Sequence, residues 1–217
     1  ISAVLDILGY KAPKLICYSY VLLDGDKMST SGGTVVLVTD FMKAVRETLL
    51  REFKERNADI TEEKLNILIN ACIKFTMLNV SKNKIVNFNL KNATSFTGES
   101  GMYILYSIAR MKSILRNNEI TNNTELKYTN EIENKIIKEL SLYPEVINRL
   151  LITNEPAHLT KYLFGLTQLF SKFYESINIS NEEDEIKKSS NLRMLKCLIS
   201  VLESGLRILG ITSIDSL

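Results

Sequence analysis

Leu192-Arg193-Met194-Leu195-Lys196-Cys197-Leu198-Ile199-Ser200-Val201-Leu202-Glu203-Ser204-Gly205-Leu206-Arg207-Ile208-Leu209-Gly210 carries Leu192, Leu195, Ile199, Leu202, Leu206 and Leu209 in alternating steps of three and four. That spacing lays one apolar stripe along an α-helix, and Gly210 is a helix stop. The same period runs backward from here. Pro156 is placed to start a helix through Leu159, Leu163, Leu166, Phe170, Phe173 and Tyr174, and Pro144 to open one carrying Val146, Ile147, Leu150 and Leu151. Ile132, Ile136, Ile137 and Leu140 make a further stripe, while residues 181–185 read as an acidic loop. Several one-sided helices joined by short connections bury their stripes against each other, so a helical bundle is expected.

Toward the N-terminus the pattern is more mixed. Residues 117–130 are a polar break, preceded by a helix over 98–116 with Tyr103, Tyr106, Ile108, Met111 and Leu115 at helical spacing. Thr61-Glu62-Glu63-Lys64 starts another helix through Leu65, Ile69, Cys72, Ile73 and Met77. Residues 39–56 form one more, with Thr39 or Asp40 as N-cap and Val45, Leu49 and Phe53 inward. The helical period fails over 81–90, which predicts short strands or an extended crossover. Residues 15–23 are short, β-rich and bounded by Pro13 and Asp24-Gly25, and read as a buried strand; residues 1–8 read as a helix ended by Gly9. The fold class is therefore mainly α: a small α/β segment over residues 1–40 followed by a helical bundle over 41–217.

The chain of 217 residues is 45% hydrophobic and 24% charged, which is ordinary for a globular protein able to bury a core. A net charge of +2 gives no whole-chain case for a nucleic-acid partner, so any basic surface must come from local clustering. Cys17, Cys72 and Cys197 lie far apart in apolar runs without metal-ligand spacing, and are expected as reduced core residues; no metal site is predicted. Sequons begin at Asn79, Asn92, Asn122 and Asn178, but there is no leader-like segment or long apolar span, so neither secretion nor membrane insertion is expected and a cytoplasmic location is. Because Ile1 already stands in an apolar helical pattern, the chain is expected to be a piece of something longer.

The loop Lys27-Met28-Ser29-Thr30-Ser31-Gly32-Gly33-Thr34-Val35-Val36 lies between two apolar runs and just before a helix. A lysine ammonium beside small residues with free backbone donors can neutralise phosphate oxygens. Downstream, in order, come Asn70-Ala71-Cys72-Ile73-Lys74-Phe75, Ser95-Phe96-Thr97-Gly98-Glu99-Ser100-Gly101-Met102-Tyr103, Tyr143-Pro144-Glu145-Val146-Ile147, Glu155-Pro156-Ala157-His158-Leu159, Phe173-Tyr174 and Gly205-Leu206-Arg207-Ile208-Leu209-Gly210-Ile211. The series resembles the C-terminal part of the arginyl-tRNA synthetases, class I enzymes whose signature loop is usually Lys-Met-Ser-Lys-Ser. Two departures stand out: Thr30 replaces the second lysine, and the proline that often precedes the tyrosine at Tyr103 is absent.

The resemblance implies the end of a Rossmann-like catalytic domain with its signature loop, then a helical anticodon-binding domain. It implies ATP, with Mg²⁺, and arginine as substrates of an intact arginine–tRNA ligase and arginine tRNA as partner, with no cofactor held by this chain alone and a monomer expected. Lys27 would be the catalytic cation, with Met28, Ser29 and Thr30 shaping the ATP loop. The other class I signature, His-Ile-Gly-His, cannot be formed by the single histidine, His158, so this chain alone is not expected to charge tRNA. His158 reads as a cap or packing residue. For RNA, the candidates are Tyr103, Arg110, Arg116, Lys161 and Tyr162, the aromatics as stacking platforms and the cations near phosphates, with core packing as the alternative for each aromatic. Tyr162 and Tyr174 differ by roughly 120° around one helix. Tyr174, in register with Leu163, Leu166 and Phe170, is expected to pack, and Tyr162 to face RNA. The rival reading is a stand-alone tRNA adaptor without catalysis, against which the Lys27 loop argues; a generic helical interaction domain would leave the ordered series unexplained.

Overall fold

The computed structural model describes residues 1–23, 26–27, 37–121 and 124–216, with 26 and 27 described by backbone alone. A short helix α1 (Ser2–Ile7) leads through an extended segment to strand β1 (Val21–Leu23), which pairs antiparallel with β2 (Asp26–Lys27) and parallel with β3 (Val86–Phe88). Between β2 and β3 lie α2 (Val38–Glu55) and α3 (Glu62–Leu78); after β3 come α4 (Leu90–Ala93) and α5 (Gly101–Arg116). The chain then closes with α6 (Glu131–Ser141), α7 (Tyr143–Thr153), α8 (Pro156–Ser176), a turn of 3₁₀ helix at Ile179–Asn181, and α9 (Glu185–Ile208).

The helix termini follow capping chemistry. Thr61 accepts the amide of Lys64 at the start of α3, where Glu62 and Glu63 also favour the positive end of the helix. Asn130 and Glu133 make a capping box at α6, and Glu133 is fully buried: it accepts the amides of Thr129 (2.7 Å) and Asn130 (2.8 Å) and the Asn191 Nδ2 of α9 (3.0 Å). Pro144 and Pro156 open α7 and α8, and Gly210, at φ 70°, ends α9. At α2 the expected cap is displaced: the helix begins at Val38 with Leu37 as an N-cap lacking side-chain bonds, and Asp40 sits in the first turn.

One core joins the bundle, through Phe75 of α3, Leu105 and Ile108 of α5, Leu163 and Phe170 of α8, and Leu198 and Leu202 of α9. Backbones approach closely where glycine permits. A Cβ on Gly101 would lie 2.5 Å from the carbonyl oxygen of Ala71, so the entry of α5 sits directly on α3. No proline is needed there, because Ser100 caps the helix by accepting the Tyr103 amide at 3.1 Å.

Two further expectations fail. Of residues 15–23 only Val21–Leu23 is strand, and it is half-buried; Leu15 is 83% and Tyr18 86% exposed, since sheet pairing secures this segment at β1 but among the described residues no layer covers those before it. Of the three cysteines only Cys72 is core, its thiol pushed up to about 12 by burial. Cys17 falls in the uncovered segment, and Cys197 follows Lys196 on the flank of α9 opposite Leu195 and Leu198. Among the described residues no helix is long and apolar enough to cross a membrane, and no cluster of three or more His, Cys, Asp or Glu is placed to hold a metal.

Candidate nucleic-acid interface

The C-terminal ends of α5 and α8 and the tail after α9 enclose a cleft of about 740 Å³. Arg110 is part of its lining. Its guanidinium carbon is 4.4 Å from the ring centroid of Tyr174 and 5.0 Å from that of Tyr106, and its Nη2 donates to the Tyr106 hydroxyl at 2.9 Å. Each ring face attracts the cation, and the planar guanidinium is thereby held without a carboxylate. Among the described residues Arg110 has no ion-pair partner, so its positive charge is left for whatever enters the cleft. Tyr174 is 42% exposed and its ring edge is held by Phe170 at 6.0 Å between centroids. Asn117, Asn178 and Ser216 add neutral donors and acceptors to the wall.

Arg116 is exposed at the end of α5 and donates from Nη1 to the carbonyl of Asp215 at 3.0 Å, which ties the cleft to the C-terminal tail. That tail is clamped. Lys112 reaches Glu203 and Asp215 at 2.6 Å each and the carbonyl of Ile214 at 3.3 Å, and Lys64 donates to Ser216 at 2.9 Å. Desolvation works against both charges of the Lys112–Glu203 pair, but the hydrogen bonds outweigh it: Lys112 is raised, and Glu203 is held below the usual carboxylate range by Lys112 and Ser213.

The sequence candidates are thus divided. Arg110 and Arg116 line the cleft, whereas Tyr103, in the first turn of α5, packs edge-on against Phe164 at 5.8 Å. Lys161, exposed, and Tyr162 lie in the first turns of α8, roughly 20 Å from Tyr174 at 1.5 Å per residue. The burial of the two tyrosines is the reverse of the expected one: Tyr174 is exposed and Tyr162 is the one that packs. Tyr162 is half-buried, stacks on Tyr143 at 5.9 Å and donates its hydroxyl to the Glu139 carbonyl at 2.8 Å; desolvation raises its pKa. The buried stripe of α8 runs Leu159, Leu163, Leu166, Phe170, Phe173, so the step after Phe170 is three and Tyr174 turns outward. Tyr106, Tyr174 and Asn178 complete the cleft set, and the spacing of Tyr106 and Arg110, one turn apart, was a usable signal. Of the loop candidates, Lys27 contributes its backbone to β2, opposite Leu22, while Met28, Ser29 and Thr30 lie outside the described residues.

Residues 104–217 match the DALR anticodon binding domain, and the chain belongs to that family. Over almost its whole length it matches the C-terminal part of arginyl-tRNA synthetases: it is 31% identical over 221 residues to the arginine–tRNA ligase of Clostridium beijerinckii, covering 99% of this chain and 39% of that protein. It is 30% identical to that of Sulfolobus acidocaldarius, covering 100% and 36%. Thermus thermophilus arginyl-tRNA synthetase has the same fold over 92% of this chain and 35% of its own, with a TM-score of 0.84 at 23% identity. For Plasmodium falciparum arginyl-tRNA synthetase the coverage is 92% and 34%, with a TM-score of 0.77 at 25% identity. The chain spans about two fifths or less of the length of these relatives.

Proposed function

We propose that this chain is the tRNA-binding portion of a protein that ligates arginine to its tRNA with ATP, and that the α5–α8 cleft receives an unstacked base of the anticodon loop. The observation that carries the reading is the Arg110 guanidinium, without an ion-pair partner among the described residues, between the rings of Tyr106 and Tyr174. A base can stack on the exposed Tyr174 ring while the adjoining phosphate meets Arg110 or Arg116. The surrounding amides of Asn117 and Asn178 can donate to and accept from a base edge, which an adventitious apolar pocket could not.

In this reading Lys27 is the cation that meets ATP phosphate, with Met28, Ser29 and Thr30 shaping the loop, and Mg²⁺ enters with ATP. The boundary between the catalytic remnant and the RNA-binding domain falls near residue 40, at the start of α2. Lys161 and Tyr162 are no part of the base site; Lys161 can meet backbone phosphate further along the tRNA, and Tyr103 packs between α5 and α8 away from the cleft. The protein works as a monomer in the cytoplasm.

The test is a comparison of two lengths. At the length of its relatives the protein should form arginyl-tRNA, and the 217-residue chain should bind arginine tRNA in filter or fluorescence titrations yet form none. Lys27→Ala in the longer protein should slow charging while tRNA affinity holds, because an ammonium that follows developing charge acts on rate more than on binding. Charging by the short chain, or none by the long one, would sink the proposal.

A further inference from the structure

Lys82 is bonded at three of its groups, and they face two different parts of the molecule. Its carbonyl accepts the amide of Ser19 at 2.9 Å, just ahead of β1. Its own amide donates to Glu155 Oε1 at 3.0 Å, and its ammonium donates to the carbonyl of Thr153 at 2.8 Å, at the C-terminal end of α7. Ser81 Oγ completes the clasp by donating to Glu155 Oε2 at 3.0 Å, so both carboxylate oxygens of Glu155 are engaged by the same dipeptide. Lys14 adds a further cation at this helix end, reaching the carbonyl of Ile152 at 3.3 Å. Ammonium groups at a helix C-terminus satisfy carbonyls that have no partner within the helix and sit at the negative end of its dipole.

The clasp stands at a junction. On one side, Ser19 and the Tyr20 carbonyl, which accepts the Val86 amide at 3.0 Å, begin the pairing of β1 with β3, and β1 in turn pairs with β2, whose Lys27 is opposite Leu22. On the other side, Glu155 is the residue immediately before Pro156, the start of α8, whose far end carries Tyr174. A free crossover of residues 79–85 would have no need of a carboxylate gripping two consecutive residues. Here the β1–β3 side of the sheet is fixed to the elbow between α7 and α8, and β2, the strand of Lys27 at the opposite edge, is held to it through β1.

We propose that Lys82 and Glu155 are positioning residues for the ligation reaction: they seat β1 on the α7–α8 elbow, and through β1 the neighbouring strand that carries Lys27, and so set where that lysine stands relative to the RNA-binding helices. The inference rests on the ligase reading given above. Neither residue touches a reacting group, so their effect is on geometry, and a small misplacement of a reacting cation lowers rate without lowering affinity.

The experiment uses the protein at the full length of its relatives. Glu155→Ala should lower kcat for arginyl-tRNA formation by about tenfold or more while the KM and Kd for tRNA stay within about twofold, and the amides of Ser19 and Val86 should exchange with deuterium faster. Glu155→Gln, which keeps a carbonyl acceptor for the Lys82 amide, should recover most of the rate. Lys82→Met removes only the ammonium and leaves the backbone bonds, so it should show the same split if Glu155→Ala does not fold, and Lys82→Arg should rescue it. Faster exchange with an unchanged kcat would make the clasp merely structural and overturn the proposal, as would unchanged exchange in Glu155→Ala. If the unaltered protein forms no arginyl-tRNA, it is the ligase reading that falls, and exchange alone then decides whether the clasp holds β1.

Discussion

Tyr174 and Tyr162 make opposite predictions although they share a helix. Stacking on one base contributes about 1–3 kcal/mol, so Tyr174→Ala should weaken binding of arginine tRNA by tenfold or more while the melting temperature changes little. Tyr162→Ala removes a ring stacked on Tyr143 and leaves the Glu139 carbonyl without its donor, so it should lower the melting temperature by ~5 °C or more with RNA affinity per folded molecule intact. Titration and thermal melts on both variants check the assignment, and weakened RNA binding by a stable Tyr162→Ala would move the interface to the other end of α8. Arg110 suits the cleft to an anion beside a ring, as the proposed reading requires. Its charge is held by π faces and a hydroxyl, none of which neutralises it.

At the scale of elements, packing distance decides what each helix tolerates. Gly101→Ala would drive a Cβ into the backbone carbonyl of Ala71, which cannot move without shifting α3, so a loss of about 1–3 kcal/mol is expected from chemical denaturation. For Gly205→Ala the nearest atoms belong to the Leu163 side chain, whose Cδ2 would be at 2.5 Å but which can change rotamer, so its cost should be clearly smaller. Equal costs would show that α3 and α5 are free to separate. The same reasoning accounts for α5 starting without the family's proline: the Ser100 cap and the close seat on α3 fix the helix entry by different means.

Across the whole molecule the C-terminal tail links the bundle to the cleft by charge. Glu203 and Asp215 have pKa values held down in the fold, by Lys112 in both cases and by Ser213 for Glu203. Their contribution is therefore present above the ordinary carboxylate values near ~4 and is lost as pH falls through the lowered folded values. Lys112 is raised, so its contribution is complete below its ordinary value near ~10.4 and disappears only as pH rises through the folded one. Lys112→Met should flatten both limbs of a plot of unfolding free energy against pH, and should loosen the cleft wall that Ser216 supplies. An acid limb identical in the variant would mean that other carboxylates govern it.

The helices could be read from the chain because a stripe in steps of three and four has one solution in space, and Pro144, Pro156, Thr61 and Gly210 mark ends by local chemistry that needs no partner. The ordered motif series, from Lys27 to Ile211, was legible for the same reason: it is a matter of residues in sequence. Arg110 and Arg116 could be named, but not what surrounds them. Which way Tyr174 points was decided by one step of the α8 stripe, three residues from Phe170 to Phe173 where four was assumed, and that choice is made by the α5 and α9 surfaces against it. Burial of residues 15–23 failed as an expectation because apolar composition states a preference, whereas burial needs a facing layer. The Lys82–Glu155 clasp joins positions 73 residues apart, and no spacing along the chain announces it. Local periodicity and caps are properties of neighbours in sequence; clefts and clasps exist only once distant helices are brought to the same place.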